Sequence, residues 1–163
     1  MTLALVFPGQ GSQHVGMGKP LVEAFAEARE VFEEVDDALG RALSRIVFEG
    51  PDDDLIATEN AQPGLMAMSM AVLRVLTNQG GLDVGANAAF VAGHSLGEYA
   101  ALAAAGALSL ADAARLLDAR GVAMSRAGAS DGDGGMSALL GIDINVAEEL
   151  VDTATKTSVG FCV

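Results

Sequence analysis

The segment AAFVAGHSLGEYAALAAAG, residues 88–106, constrains the fold more than any other part of this sequence. It begins with an apolar run typical of a buried β-strand, residues 88–92, and continues as an alanine-rich run that predicts a helix over residues 96–105. A short turn separates the two runs, with Gly93 at its start and Gly97 just after it. The chain must therefore pass sharply from strand to helix, as it does in α/β proteins with a parallel sheet.

One serine lies in this turn. Gly93, Ser95 and Gly97 match the pattern G-x-S-x-G, in which the turn exposes the serine hydroxyl and the glycines let the backbone pack closely. A helix N-terminus beside Ser95 favours developing negative charge, and the Leu96 N–H is the natural donor to an oxyanion. The pattern predicts that Ser95 is a catalytic nucleophile; the alternative is a helix-packing turn with an incidental serine.

The residue that would accept the Ser95 proton is harder to find, because the sequence has two histidines, His14 and His94. Consecutive side chains at the end of a strand point to opposite sides, so the His94 imidazole should face away from the neighbouring Ser95 hydroxyl. We therefore expect His94 to support the turn by a hydrogen bond rather than to act as the base. Simple packing is the alternative.

The remaining sequence predicts alternating strands and helices, which indicates an α/β fold with a parallel sheet. The expected elements that flank the serine turn are a strand over residues 2–7 followed by a Gly-rich loop, an amphipathic helix from Leu21 to near Gly40, a broken region with one helical turn from Leu43 to Thr58, a buried helix from Gln62 to Gln79, and a helix capped by Ser109 and Asp112 that ends near Ala127. A linker at 128–135, a strand at 136–142, a helix at about 145–155 and a strand from about 158 then predict the start of a second unit.

Charge and composition argue against several classes of function. The 22 acidic and 9 basic residues give a net charge of −13, which disfavours binding to nucleic acid or to an anionic membrane. No His or Cys cluster has the spacing of metal ligands, and we expect neither a metal nor a bound cofactor. There is no secretory signal pattern or membrane-spanning run, and the single Cys162 requires no oxidising compartment, so a cytoplasmic location is expected.

Five motifs carry a resemblance to a known family: FPGQGSQ at residues 7–13, TENAQP at 58–63, GHSLGEYAAL at 93–102, the pair Arg120-Gly121, and GGMSALLG at 134–141. Together, in this order, they resemble the malonyl-CoA:acyl carrier protein transacylases of fatty-acid synthesis. The resemblance covers essentially the whole chain. Because members of that family are considerably longer, we expect this chain to correspond to the N-terminal part of one.

The resemblance implies a fold with two parts. The larger is an α/β-hydrolase-like domain with a parallel sheet, and the smaller is a ferredoxin-like subdomain inserted into it. Residues 1–127 would form the N-terminal part of the large domain, residues 128–135 a linker, and residues 136–163 the beginning of the subdomain.

The resemblance also implies roles for individual residues. Ser95 would be the nucleophile, and the backbone N–H groups of Gln10 and Leu96 would form the oxyanion hole. Arg120 would hold the free carboxylate of the malonyl group, for which a planar guanidinium is suited. Gln62 would help to bind the substrate by bracing a loop near the pocket, together with Asn60.

Alternatives exist for two of these assignments. Arg120 could instead be a surface arginine or the partner of Asp112 or Asp118 in an ion pair. The resemblance places the catalytic base in a histidine well downstream, in a segment that resembles nothing between residues 1 and 163, and the family does not use the position of His14. We therefore expect the chain by itself to be a poor catalyst, because loss of a triad base lowers rates by several orders of magnitude.

The predicted reaction is a ping-pong transfer of a malonyl group from malonyl-CoA to the phosphopantetheine thiol of acyl carrier protein, through a malonyl-serine intermediate. One alternative is a serine esterase of the α/β-hydrolase type, in which water accepts the acyl group. Another is a non-catalytic binding module or a fragment. An acyl-serine that survives in water but is released by a pantetheine thiol would distinguish transfer from hydrolysis.

Overall fold

The chain folds into a mixed α/β structure that is mostly helical and has a small parallel sheet, as the sequence predicts at this level. The computed structural model describes residues 3–129 and 141–157. Its elements are β1 (Leu3–Phe7), α1 (Lys19–Ala24), α2 (Ala26–Leu39), α3 (Leu43–Glu49), α4 (Asp52–Ile56), α5 (Thr58–Asn78), α6 (Val84–Asn87), β2 (Ala88–Gly93), α7 (Gly97–Ala104), α8 (Leu110–Ala129) and α9 (Ile144–Thr157). None of the helices in this part of the chain combines the length and the hydropathy that a membrane span requires.

β1 and β2 pair in parallel, with Phe7 opposite Gly93. The carboxyl ends of the two strands therefore lie at the same edge of the sheet, and the loop after each strand begins there. Side chains alternate between the two faces of a sheet. Phe7 is buried on the face that the helices cover, whereas Val6 and Phe90 are exposed on the other face.

The core lies between the inner face of the sheet and the long helices. α5 packs against α2, α7 and α8, and every residue from 61 to 67 in it is buried. The buried helix expected from Gln62 is therefore confirmed, but it begins at Thr58 and contains Pro63. The first four residues of the motif TENAQP, which precede the expected helix, are therefore helical as well. A proline usually marks a helix boundary because it lacks an N–H donor, which is why the sequence pattern placed the start too late.

The single helix expected from Leu21 to Gly40 is two helices in the structure. Phe25 has extended dihedral angles, φ −130° and ψ 120°, and separates α1 from α2. Its N–H still donates to the Leu21 carbonyl at 2.9 Å, and its own carbonyl accepts from Ala28 at 3.2 Å. A break of one residue leaves the apolar spacing nearly unchanged, so the periodicity does not reveal it. The expected end at Gly40 is confirmed, with a left-handed φ of 63°.

The region between Leu43 and Thr58 contains more helix than the sequence predicts. Instead of one helical turn, the two short helices α3 and α4 occupy it, separated by Gly50 and Pro51. Each buries apolar residues, Leu43 and Val47 from α3 and Leu55 from α4. Tertiary packing thus stabilises helices that are too short to be predicted from local pattern.

The C-terminal predictions are tested only in part. The cap of α8 is confirmed, because the Asp112 N–H donates to Ser109 Oγ at 3.0 Å. α8 continues to Ala129, slightly beyond the end expected near Ala127, and residues 130–135 of the predicted linker lie outside the described ones. A difference of this size at a helix end is expected, because the local sequence pattern locates helix ends only to within one or two residues.

Beyond this point α9 confirms the helix predicted at about 145–155. Residues 141 and 142, at the end of the predicted strand, are not in a strand. The rest of that strand, the strand expected from about 158, and Cys162 lie outside the described residues. The domain boundaries therefore stay predictions.

Candidate functional site

Ser95 lies in the turn between β2 and α7 with a left-handed φ of 55°, which no other non-glycine residue in the described parts of the chain adopts. This conformation is strained for a residue with a side chain, and the surrounding backbone must hold it. The His94 N–H donates to the Phe7 carbonyl, and the Glu98 N–H donates to the Ser95 carbonyl, both at 3.1 Å. The turn leaves Ser95 exposed at the sheet edge, in the geometry that G-x-S-x-G predicts.

Gly93 and Gly97 let three backbone segments meet below this serine. A Cβ at Gly93 would lie 1.9 Å from the Gly97 carbonyl carbon. A Cβ at Gly97 would lie 2.5 Å from the Phe7 carbonyl oxygen and 2.7 Å from that of Pro8. Neither position has room for a side chain, so both glycines are required for β1, β2 and α7 to approach this closely.

Arg120 contacts the Ser95 hydroxyl. Its Nη2 donates to Ser95 Oγ at 2.9 Å, and its Nη1 donates to Gln62 Oε1 at 2.6 Å. Gln62 is fully buried, and its Nε2 donates to Met124 Sδ at 3.3 Å, which fixes the amide so that its oxygen faces Arg120. The structure thus brings together three of the predicted site residues, contributed by the serine turn, α5 and α8.

The ion pairs considered as alternatives for Arg120 have other partners. Asp118 pairs with Arg41 at 2.7 Å, and Asp112 pairs with Arg115 at 3.3 Å. Among the described residues no carboxylate forms an ion pair with Arg120. Its guanidinium, held by neutral side chains, therefore keeps its charge available for an anionic ligand.

The loop that contains Gln10 begins at the same sheet edge as the serine turn. A Cβ at Gly9 would lie 2.2 Å from His94 Nδ1, so this loop crosses directly over His94. The backbone N–H groups of Gln10 and Leu96 have no acceptor among the described residues. Both are therefore free to donate to a ligand, as an oxyanion hole requires, and their assignment to one stays a prediction.

Neither histidine makes a hydrogen bond to Ser95 within the described ranges. The His94 imidazole lies against Gly9 and is exposed, and its side chain has no hydrogen-bond partner there, so its contact with the loop is one of packing. His14 is also exposed and lines an open cleft with Pro8 and Ser12. In the same described ranges, no group of three or more His, Cys, Asp or Glu side chains could hold a metal ion.

A polar network that the sequence motifs do not reveal joins the start of α5 to α8. The Arg41 guanidinium donates hydrogen bonds to the side-chain oxygens of Asn60 and Asp118. Ser125 Oγ donates to Glu59 Oε2 at 2.7 Å. The Ser125 hydrogen bond lowers the pKa of Glu59 below its ordinary value, with a smaller contribution from the charge of Arg41. Asn60, expected to brace a loop, instead forms part of this network.

Known proteins match this chain in both sequence and structure. The acyl transferase domain family matches residues 4–158. The malonyl CoA-acyl carrier protein transacylase of Bacillus subtilis (strain 168) is 44% identical over 154 residues, which cover 94% of this chain and 47% of that protein. The corresponding protein of Escherichia coli (strain K12) is 44% identical over 162 residues, 97% of this chain and 51% of that one.

Solved structures agree with this result. The crystal structure of acyl-carrier-protein-S-malonyltransferase from Bartonella henselae superimposes with a TM-score of 0.86 at 52% identity, covering 98% of this chain and 50% of that one. The structure of a type II polyketide acyl-carrier protein in complex with its malonyl-transacylase contains a chain that matches with a TM-score of 0.72 at 42% identity. The match covers 78% of this chain and 40% of that one. The chain spans about half the length of the curated relatives it matches. Since the family match extends over nearly all of its residues, the chain belongs to the family of acyl transferase domains.

Proposed function

We propose that this chain is the nucleophile-bearing part of a malonyl-CoA:acyl carrier protein transacylase. The observation that carries the proposal is the Arg120 guanidinium, 2.9 Å from Ser95 Oγ and held by the buried Gln62. In a malonyl-serine ester, two carbon atoms separate the ester oxygen from the carboxylate carbon. A guanidinium in contact with Oγ is therefore within reach of that carboxylate, which it can bind through two parallel hydrogen bonds.

The proposed reaction has two steps. Ser95 Oγ attacks the thioester carbonyl of malonyl-CoA, the carbon–sulfur bond breaks, and CoA leaves as the thiol while malonyl-serine forms. The phosphopantetheine thiol of acyl carrier protein then attacks the ester and regenerates the serine. In both steps the backbone N–H groups of Gln10 and Leu96 would stabilise the oxyanion, and Arg120 would exchange its contact with Oγ for the malonyl carboxylate.

The first step requires a base for the Ser95 proton. Arg120 cannot serve, because a guanidinium stays protonated at all accessible pH values. Since neither His14 nor His94 hydrogen-bonds Ser95 in the described residues, we place the base in the part of the relatives' length that this chain does not match. The sequence resemblance indicates a histidine for this role.

The proposed acceptor is acyl carrier protein, which fits the names of the relatives and the similar complex of a malonyl-transacylase with its acyl-carrier protein. By the same resemblance the product would serve fatty-acid synthesis. The finer description of the fold also belongs to this proposal. A parallel sheet whose edge presents a strained serine turn supports an α/β-hydrolase-like large domain over residues 1–127, with a ferredoxin-like subdomain beginning near residue 136.

Transfer and hydrolysis differ in the molecule that accepts the acyl group. We would load the chain with malonyl-CoA, remove the excess, and divide the sample between buffer and buffer containing pantetheine. Because the base is placed outside this chain, both steps should be slow. The proposal predicts gradual formation of malonyl-pantetheine in the second sample and a persistent acyl-enzyme in the first, with neither in Ser95→Ala. Rapid release of free malonate in buffer alone would favour the esterase.

A further inference from the structure

Pro63 creates an unusual requirement near the candidate site. It lies within α5 and has no N–H, so the carbonyl of Glu59 lacks the helical donor that a residue at position 63 would supply. Arg41, which lies between α2 and α3, fills this gap: its Nη2 donates to the Glu59 carbonyl oxygen at 3.0 Å. The guanidinium thus replaces a missing helical hydrogen bond in the turn that carries Gln62.

The same guanidinium reaches the second helix of the site. Its Nη1 donates to Asn60 Oδ1 at 2.6 Å, and its Nη2 donates to Asp118 Oδ1 at 2.7 Å. Glu59 precedes Gln62 by three residues on α5, and Asp118 precedes Arg120 by two residues on α8. One side chain therefore connects both helices close to the two residues that hold each other in the site.

The two helices are in close contact at this point. A Cβ at Gly121, the residue after Arg120, would lie 2.5 Å from Glu59 Cα, so the backbones touch there. The side chains of Arg41 and Asp118 are 32% and 34% exposed, so the ion pair by itself adds little stability. Its geometry matters more, because a planar guanidinium holds donors on two nitrogens at a fixed separation, whereas the three donors of a lysine all lie on one nitrogen at the end of a flexible chain.

We infer that Arg41 is a positioning residue that fixes the distance between Gln62 and Arg120 by bridging the Pro63-interrupted turn of α5 to Asp118 of α8. Its importance for acyl selection rests on the proposed function, since Arg120 is there assigned to the malonyl carboxylate. The geometric part of the inference does not rest on the proposed function. It states only that Arg41 keeps the Arg120 guanidinium in contact with Gln62 and Ser95.

Arginine side-chain NMR on the ¹⁵N-labelled chain tests this directly. The Arg120 Nε–Hε signal, identified by its loss in Arg120→Lys, should report a guanidinium with slowed rotation because two acceptors hold it. Arg41→Lys keeps the charge but loses the planar fork, and we expect the Arg120 signal to move towards those of exposed arginines. Arg45→Lys, the same change at a neighbouring arginine that is 78% exposed, should leave it unchanged.

Malonyl-CoA binding to the same samples separates the role of Arg41 in positioning Arg120 from the proposed role of Arg120 in binding the malonyl group. We expect Arg41→Lys to weaken binding about tenfold, the effect of losing one charge-assisted hydrogen bond between a displaced Arg120 and the ligand. Failure of the wild-type chain to bind would count against the proposed function alone. An Arg120 signal that is unchanged in folded Arg41→Lys would overturn the role of Arg41.

Asp118→Asn provides a second variant if Arg41→Lys does not fold. It keeps the size of the side chain and weakens the Arg41 contact with α8, so a partial movement of the Arg120 signal is expected. An unchanged signal in this variant would overturn the inference. So would unfolding of both variants, because Arg41 would then be needed for the whole fold rather than for the position of Arg120.

Discussion

At the scale of single residues, the hydrogen bonds of Arg120 lead to a prediction about selectivity. A charge-assisted hydrogen bond contributes about 1.5–3 kcal/mol, so we expect Arg120→Ala to weaken malonyl-CoA binding by roughly 10- to 100-fold. Binding of acetyl-CoA, which has no free carboxylate, should change little. Calorimetric titration with both ligands measures the difference. Arg126→Ala, at an exposed arginine of the same helix, is the matched control and should affect neither ligand.

The hydrogen bond between Ser125 and Glu59 predicts a pH dependence of stability. Because the folded-state pKa of Glu59 is lowered, its contribution to stability is present above the unfolded-state pKa and is lost as pH falls through the folded-state value. Ser125→Ala should therefore reduce the free energy of unfolding at pH 7 by about 0.5 kcal/mol, as expected for a largely exposed site. Denaturant titrations should show the difference shrinking below about pH 4.

Glu59→Gln supplies the control for this second prediction. Without a titrating carboxyl at position 59, Ser125→Ala should have the same effect at every pH. If the pH-dependent part persisted in the Glu59→Gln background, another acidic group would have to be its source.

The sequence predicted part of the site at this scale. Ser95, Arg120 and Gln62 belong to motifs, and the structure places them together. Arg41 belongs to no motif, because its role arises only once Pro63 lies inside a helix and leaves the Glu59 carbonyl without a donor. The strain at Ser95, by contrast, follows directly from the local pattern of glycines around it.

At the scale of secondary-structure elements, the sequence predicted those whose signal is local. Both strands and the helix after Ser95 follow from apolar runs and turn residues. The break at Phe25 and the helical start of TENAQP do not, since the first preserves the apolar period and the second contains a proline. Tertiary contacts with α8 stabilise the helical start of TENAQP, and a local sequence pattern cannot predict such contacts.

The close contact between α5 and α8 predicts a large effect of one added methyl group. A Cβ at Gly121 would meet Glu59 Cα at 2.5 Å and the Thr58 carbonyl oxygen at 2.8 Å, so Gly121→Ala must separate the helices. We expect a loss of about 1–3 kcal/mol in the free energy of unfolding, as in other overpacked interiors. Gly85→Ala, whose Cβ would make an ordinary contact of 3.5 Å, is the control for denaturant unfolding. Equal stability of the two variants would contradict the packing described for α5 and α8.

At the scale of the whole molecule, the sheet has one apolar face exposed. Val6 and Phe90 on that face are 75% and 70% exposed, although both faces of parallel sheets are normally covered. We expect the chain to bind a hydrophobic dye, and Val6→Thr with Phe90→Thr to reduce the dye fluorescence several-fold. The free energy of unfolding should change by only about 0.5 kcal/mol, as for other exposed positions.

Phe7→Ala is the comparison on the opposite face. Phe7 is buried there, so its truncation should lower the free energy of unfolding by about 3 kcal/mol. If the Val6 and Phe90 substitutions destabilised the chain as strongly as Phe7→Ala, that outer face would be buried in solution.

The proposed function requires that Ser95, beside Arg120, accept a dicarboxylic acyl group from a thioester. Intact-mass measurement after incubation with malonyl-CoA or acetyl-CoA tests it most directly, with Ser95→Ala and Arg120→Ala measured in parallel. We predict one malonyl adduct that forms slowly, is absent in Ser95→Ala, and exceeds the acetyl adduct unless Arg120 is replaced. A malonyl adduct that persists in Ser95→Ala, or equal labelling by both thioesters, would contradict the claim.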